Sequence, residues 1–228
     1  MKYKEANDVL EGRYLVLDAS RSQFQVGILN DGQWSAFSQV ESPVLSAVET
    51  HLRPLLASYP LKDLEGAIYC QGPGSTLGLR ATLSLVGAWQ VLLGDRFQLF
   101  HYGALEYTAA RLRVTRSLSE PFCVVTPARL GFYHCLESLK KGEYALSTIP
   151  SIPEEPNPVF YLPQTKLWKA TVKASHAIDI DYSIENFPDV WNVEPHLVRA
   201  TLEPKLSVFS GPGNDFVRWE RKRHSGVE

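Results

Sequence analysis

Gln71-Gly72-Pro73-Gly74-Ser75-Thr76-Leu77-Gly78-Leu79-Arg80 opens an apolar run that ends at Gly94. Just before it, Gly66-Ala67-Ile68-Tyr69-Cys70 reads as a short buried strand. Behind it, residues 81–93 carry no charged side chain, hold good helix formers, and stop at a glycine suited to a C-cap. Pro73 fixes one φ while the glycines on either side free theirs, so the turn has a defined shape. Strand, glycine turn and helix together aim the N–H groups of a helix start at an anion. Gly72, Gly74 and Ser75 are therefore candidate anion or nucleotide contacts, although the Ser75 hydroxyl serves equally well as an N-cap.

The helix has an unusual surface. Leu79, Leu83, Val86 and Leu93 lie along one side, and Ala81, Ser84, Gly87 and Ala88 along another. A helix without a polar face is expected to be covered on both sides. Its own sheet covers one; a partner protein is expected on the other. The periodicity equally allows a central helix within one large core. A membrane span is disfavoured, because Arg80, Thr82, Ser84 and Gln90 interrupt a run barely long enough for ~30 Å of hydrocarbon.

The totals narrow the class. With 228 residues the chain can form one large domain or two small ones, and 44% hydrophobic with 21% charged residues is ordinary for a globular protein. A net charge of −2 argues against a strongly basic nucleic-acid binder. The 3 cysteines, Cys70, Cys123 and Cys135, sit in apolar, strand-like settings without a CxxC pair, which points to reduced structural thiols in a cytoplasm. The polar start, Met1 to Asp8, lacks an apolar signal core, so a cytoplasmic location is expected.

In order, Tyr14-Leu15-Val16-Leu17 is a central strand ending in Asp18. Residues 23–30 and 33–40 are strands joined by the Asp31-Gly32 hairpin turn. Ser42-Pro43 is expected to cap a helix through Val44, Leu45, Val48, Leu52 and Leu56, which Pro54 should bend or end. The fourth strand, the hinge, the apolar helix and a strand at 97–100 follow. These make a first α/β lobe over residues 1–102. A second lobe, 103–228, is expected to hold a helix at 104–113, a strand at 121–126 and a hairpin of 132–139 with 144–149. Five prolines between 150 and 163 indicate an extended connector there. Strands are expected at 177–182 and 206–209, and the tail Arg218 to His224 is basic. That tail is either a solvated terminus or a phosphate-backbone contact. The second half echoes the first without enough identity to establish a repeat.

YLVLDAS, the Asp-Gly hairpin, LKDLEGAIYCQGPGSTLGLR and the apolar helix are similar to the amino-terminal half of the bacterial TsaB (YeaZ) proteins. Those carry a strand ending in Asp-Thr-Ser and a GPGSFTGxR hinge that opens a helix. The match runs from Tyr14 to about Tyr102; VTPARLGFY resembles the family's IDARxGEVY, and beyond Pro150 only Glu203-Pro204 and the tail correspond. The resemblance implies the α/β, two-lobed fold of actin, sugar kinases and heat-shock chaperones, with an abbreviated, strand-rich second lobe. It implies a non-catalytic role in making threonylcarbamoyladenosine in tRNA, beside a TsaD-like transferase and a TsaE-like ATPase. It places Leu77, Ala81, Ser84, Leu85 and Ala88, with Val48 and Leu52, on the pairing face. Departures are DAS for Asp-Thr-Ser, STLGLR for SFTGxR, no histidine at 41–48, Pro127 for an Asp, and no Glu before Tyr133.

The residues themselves weigh against chemistry. Asp18 and Ser20 stand where such a fold would place Mg²⁺ and phosphate, but Ala19-Ser20-Arg21 lacks a glycine, and Thr126-Pro127 supplies no second carboxylate. Asp18 serves equally as a cap of the following turn. The 6 histidines are scattered, with no HxxxH or HExxH, so no metal is expected. Ser75 is not in a GxSxG elbow, so no catalytic residue and no cofactor are expected. Arg80 faces either an interface carboxylate or an anion. The leading expectation is a scaffold that pairs with a TsaD-like transferase, forms a homodimer when alone, and meets tRNA only through the complex, with no membrane contact. The alternative is a small-molecule kinase or ATPase of the same fold.

Overall fold

The computed structural model describes residues 11–128, 131–140, 143–154, 157–163 and 176–201. β1 (Arg13–Asp18), β2 (Phe24–Asn30) and β3 (Gln33–Val40) form an antiparallel meander. β4 (Gly66–Gly72) runs parallel to β1, and β5 (Gln98–Gly103) parallel to β4. The unbroken apolar run of β1 is explained by its place: it is hydrogen-bonded on both edges and buried on both faces. β3, at the sheet edge, alternates instead between exposed and half-buried residues. Asp31 and Gly32 both take positive φ, as the two-residue hairpin requires.

The second sheet repeats the first. β6 (Phe122–Pro127), β7 (Tyr133–Lys140) and β8 (Glu143–Ile149) are an antiparallel meander. β9 (Val159–Tyr161) lies parallel to β6, and β10 (Ile178–Asp179) parallel to β9. Both sheets thus carry the strand order 3-2-1-4-5, so the echo between the halves is one of topology. Two expectations need correction. The proline-rich stretch is more than a connector, because β9 lies inside it and inserts beside β6. The strand expected at 177–182 pairs only at Ile178–Asp179, after which the chain turns inward. Residues 206–209, the basic tail and His224 lie outside the described residues.

β11 (Arg199–Ala200) returns to the first sheet, antiparallel to β5. The chain therefore does not divide cleanly at residue 102, since the first sheet takes strands from both halves. The first long helix begins at α1 (Val44–Ala47), with Pro43 rather than Ser42 as its N-cap. It widens into a π turn (Val48–Leu52), where Arg53 N–H donates to the Val48 carbonyl, and continues as α2 (Arg53–Ser58). Pro54 has no N–H and crowds the carbonyl four residues back, and the wider turn just before it absorbs both defects. The helix bulges rather than ends.

α1, α2 and α3 (Thr76–Leu93) cover one face of the first sheet. Ala47, Leu52, Leu83, Val86 and Trp89 pack there on Leu15, Leu17, Val26, Ile28 and Tyr69. α4 (Ala104–Arg116) and α5 (Phe187–Val193) lie between the sheets, in a core built from Val16, Ile68 and Phe100 on one side and Phe122, Val124 and Phe160 on the other. Each fully buried side chain of this size contributes about 1.5–3 kcal/mol before entropy is set against it. Cys70, Cys123 and Cys135 are free and buried in β4, β6 and β7.

One polar network pins this middle layer. Arg113 on α4 donates from Nε to Glu194 Oε1 (2.8 Å), from Nη1 to Glu120 Oε1 (2.9 Å) and Ser138 Oγ (2.7 Å), and from Nη2 to Glu194 Oε2 (2.5 Å) and the Tyr144 hydroxyl. All five guanidinium hydrogens have acceptors. Burial disfavours the charge of Arg113, but the bonds from Glu194 and Tyr144 more than offset it and hold the guanidinium above its ordinary value.

Candidate functional site

The carboxyl ends of β1 and β6 face each other across the seam between the sheets. Asp18 closes β1 and is fully buried. Its Oδ1 accepts from Ser20 N (2.7 Å), and its Oδ2 from the hydroxyls of Tyr102 (2.6 Å) and Tyr182 (2.5 Å). Tyr102 comes from β5 and Tyr182 from the segment after β10. Burial, and then the Asp18 charge, push both phenols well above their ordinary values, so each stays a protonated donor. Tyr102, Tyr107, Phe187 and Trp191 add a chain of ring contacts at 5.2–5.7 Å. The expected capping role of Asp18 is present, and its remaining acceptor capacity is turned toward tyrosines of its own chain.

Arg21 crosses the seam. Its Nη1 donates to Thr126 Oγ1 near the end of β6 (2.9 Å), while the guanidinium stands over the Tyr182 ring at 5.4 Å. Thr126 in turn donates to the Leu162 carbonyl (2.9 Å). Arg21 is 7% exposed, and burial lowers its pKa against the opposing pull of Tyr182, Cys70 and Asp18. Its Nε and Nη2 are buried without a hydrogen-bond partner among the described residues. Burial and the Arg21 charge together push His134, on β7, down to about 4, so this histidine is neutral near pH 7. Burial and the Asp18 charge raise the Cys70 thiol, which is inert as a nucleophile in that state.

The glycine hinge is built for packing. Ser75 caps α3 by accepting from Gly78 N (3.3 Å), and its own N–H donates to the Ser20 carbonyl (2.7 Å). A Cβ at Gly74 would stand 2.2 Å from the Ser20 carbonyl oxygen, and one at Gly78 1.8 Å from that of Ala19. These glycines let the loop after β1 lie directly on the helix start. Gly74, expected to contact an anion, has the Ser20 backbone packed against it. Gly72, with φ +111, precedes a cis peptide to Pro73 at the same turn. A groove of about 340 Å³ does open beside the hinge, lined by Ala19, Gln23, Phe24, Val44, Ser75 and Leu77 among others.

The outer side of α3 is uncovered. Leu77, Val91 and Leu92 are 69%, 85% and 78% exposed, and Leu45 on α1 is 71% exposed. Ser84 and Ala88 are exposed between them, and Val48, Ala81 and Leu85 are half-buried. Leu52, expected on this face, is instead 1% exposed in the core beneath it, in the cluster that Val48 also packs against. By length and composition residues 76–96 could cross a membrane, but Leu79, Leu83, Val86 and Trp89 are buried in the fold, most of them against the first sheet.

Among the described residues no three His, Cys, Asp or Glu side chains gather to hold a metal ion. The described histidines have ordinary partners: His51 meets Ser38 Oγ (2.7 Å), His101 meets Thr201 Oγ1 (3.0 Å) and His176 meets the Pro153 carbonyl (2.7 Å). Sequence reasoning missed Arg21, Tyr102, Thr126, His134 and Tyr182 as members of the seam. One signal was available for Arg21, a cation directly after a buried strand end in a loop of small residues.

Two sheets of one topology, related strand for strand and separated by helices, define the actin-like, sugar-kinase and heat-shock-chaperone class of two-lobed α/β proteins. Within it, the chain is similar to a solved structure described as an uncharacterized protein with similarity to peptidase YEAZ from Pseudomonas aeruginosa, at 20% identity and TM-score 0.52, over 66% of this chain and 75% of that one. It is likewise similar to YeaZ from Pseudomonas aeruginosa, at 21% identity and TM-score 0.50, over the same shares of the two chains, 66% and 75%. At these identities the likeness is one of fold. No protein-family model matches the chain, and a comparison with curated proteins finds no significant sequence match.

Proposed function

We propose that this chain is a non-catalytic scaffold subunit of the machinery that makes threonylcarbamoyladenosine in tRNA, and that it pairs with a TsaD-like transferase through α1, the π turn and α3. The observation that carries the reading is the contrast between two surfaces. The outer side of α3 and α1 offers Leu45, Leu77, Val91 and Leu92 to solvent, a grouping that costs free energy unless a partner covers it. At the seam, where a kinase of this fold would hold Mg²⁺ and nucleotide, Asp18 is instead bonded by Tyr102 and Tyr182, and Arg21 by Thr126. The YeaZ-like fold supports the choice of partner class. A TsaE-like ATPase and tRNA join through the assembled complex, and an isologous homodimer forms on the same helices when the transferase is absent.

Ala88→Glu places a charge in the middle of the exposed stripe and away from the core. It should abolish co-purification with a TsaD-like transferase and leave the unfolding midpoint unchanged. Full partner affinity in that variant would remove α3 from the interface. The rival reading, a small-molecule kinase or ATPase, requires the isolated chain to bind Mg–ATP, which calorimetry reads directly; heat of binding at micromolar nucleotide would favour it over the scaffold.

A further inference from the structure

Independently of the docking surface, the Arg21 guanidinium is under-used. Arginine presents five N–H donors in a rigid fork, and Nε with Nη2 forms one edge spaced for two oxygens of the same group. Here Nη1 donates to Thr126, while Nε and Nη2 are buried and have no partner among the described residues. Such groups are rare in folded proteins because an unmade bond to a buried cation is costly. Among the described residues no carboxylate of the seam meets the need: Asp18 accepts from Ser20 N, Tyr102 and Tyr182. Tyr182 lies against the guanidinium face, so a ligand can reach it only in plane.

We infer that the seam between the lobes binds a small oxyanion, with two of its oxygens on the Nε–Nη2 edge of Arg21. Carboxylate and phosphate share the required geometry. Tyr102, Tyr107, Phe187 and Trp191, in mutual ring contact, pack beside Asp18 at the same seam. The Ser20 hydroxyl, buried beside the Cys70 thiol, is a further polar group at the same end of β1. Arg21 is only 7% exposed, and the Thr126 bond, made by Nη1, leaves the Nε–Nη2 edge to the anion.

The test is a titration of the full chain labelled with ¹⁵N, following the arginine Nε–Hε resonances, with inorganic phosphate, sodium acetate and sodium chloride in separate arms. A saturable shift of the Arg21 resonance with phosphate or acetate, and none with chloride, is expected; the anion that saturates first identifies the ligand class. Arg21→Lys keeps the charge but has no paired edge, so the binding reported by neighbouring amides should weaken at least tenfold. If that variant does not fold, the wild-type titration decides alone, because the responding resonance is in the native protein. A flat Arg21 resonance in both oxyanion arms, shifts confined to other arginines, or undiminished binding by Arg21→Lys overturns the proposal.

Discussion

Arg113, half-buried, and Arg21, buried, both cross between layers, and they are satisfied to opposite degrees. Arg113 reaches two carboxylates and two hydroxyls with every donor made, and its partner Glu194 is 1% exposed. Arg21 makes one bond to a neutral hydroxyl. The first is a structural lock. A cation buried with all its bonds made adds definition to a fold, and removing it strands the partner charge. The second has the opposite balance, because its desolvation is met only in part by the protein. The two together separate a polar group that holds the layers in place from one held ready for something else.

The sharpest way to break this comparison is at Arg113. Arg113→Met should cost about 3–5 kcal/mol in chemical denaturation, since Glu194 stays buried without its cation. Adding Glu194→Leu to that variant should restore much of the loss, whereas a purely steric role for Arg113 would leave the double variant no better. Arg21→Met should cost no more than about 1 kcal/mol or be stabilising, because the lost Thr126 bond and the attraction to Asp18 are offset by relief of two buried nitrogens without partners among the described residues. A loss equal to that of Arg113→Met would erase the distinction.

Tyr182→Phe removes one donor from Asp18 and should destabilise by roughly 1–2 kcal/mol, with charge-assisted bonds at the upper end. An unchanged midpoint would mean that Asp18 is not held as a carboxylate by the phenol. The smallest effect is in pH. His134 is held near 4 in the folded state against an ordinary 6.5, so the unfolded chain takes up its proton first as pH falls. This group's contribution is complete above about 6.5, declines from there to about 4, and is lost below. Subtracting a His134→Gln control should isolate that slope. In Arg21→Met the His134 pKa, read by NMR, should rise, because the second cause of its depression is gone.

Much of the first lobe was legible along the chain. The meander of β1, β2 and β3, the Asp31-Gly32 turn, the Ser75 cap and the Gly94 stop all follow from signals a few residues long. The uncovered side of α3 was legible too, because a helix with no polar face has to expose something apolar. Leu52 was misplaced because the side of the helix that carries Val48 and Leu52 turns toward the sheet, and periodicity alone does not say which side does so. β9 was missed because prolines on either side mask a three-residue strand whose stability comes from its neighbour in the sheet. Gly74 is an expected anion contact in the sequence; in the fold its absent Cβ, like that of Gly78, makes room for a carbonyl of the loop after β1.

The sequence by itself determined the local elements and the apolar surplus of one helix, since propensity, periodicity and turn chemistry act over a few residues. Only the tertiary structure decided the state of the seam. Tyr182 meets Asp18 across 164 positions and Arg21 meets Thr126 across 105, so no local pattern encodes either pairing. Whether a buried charge is matched or left wanting depends on which distant groups the packed layers bring beside it.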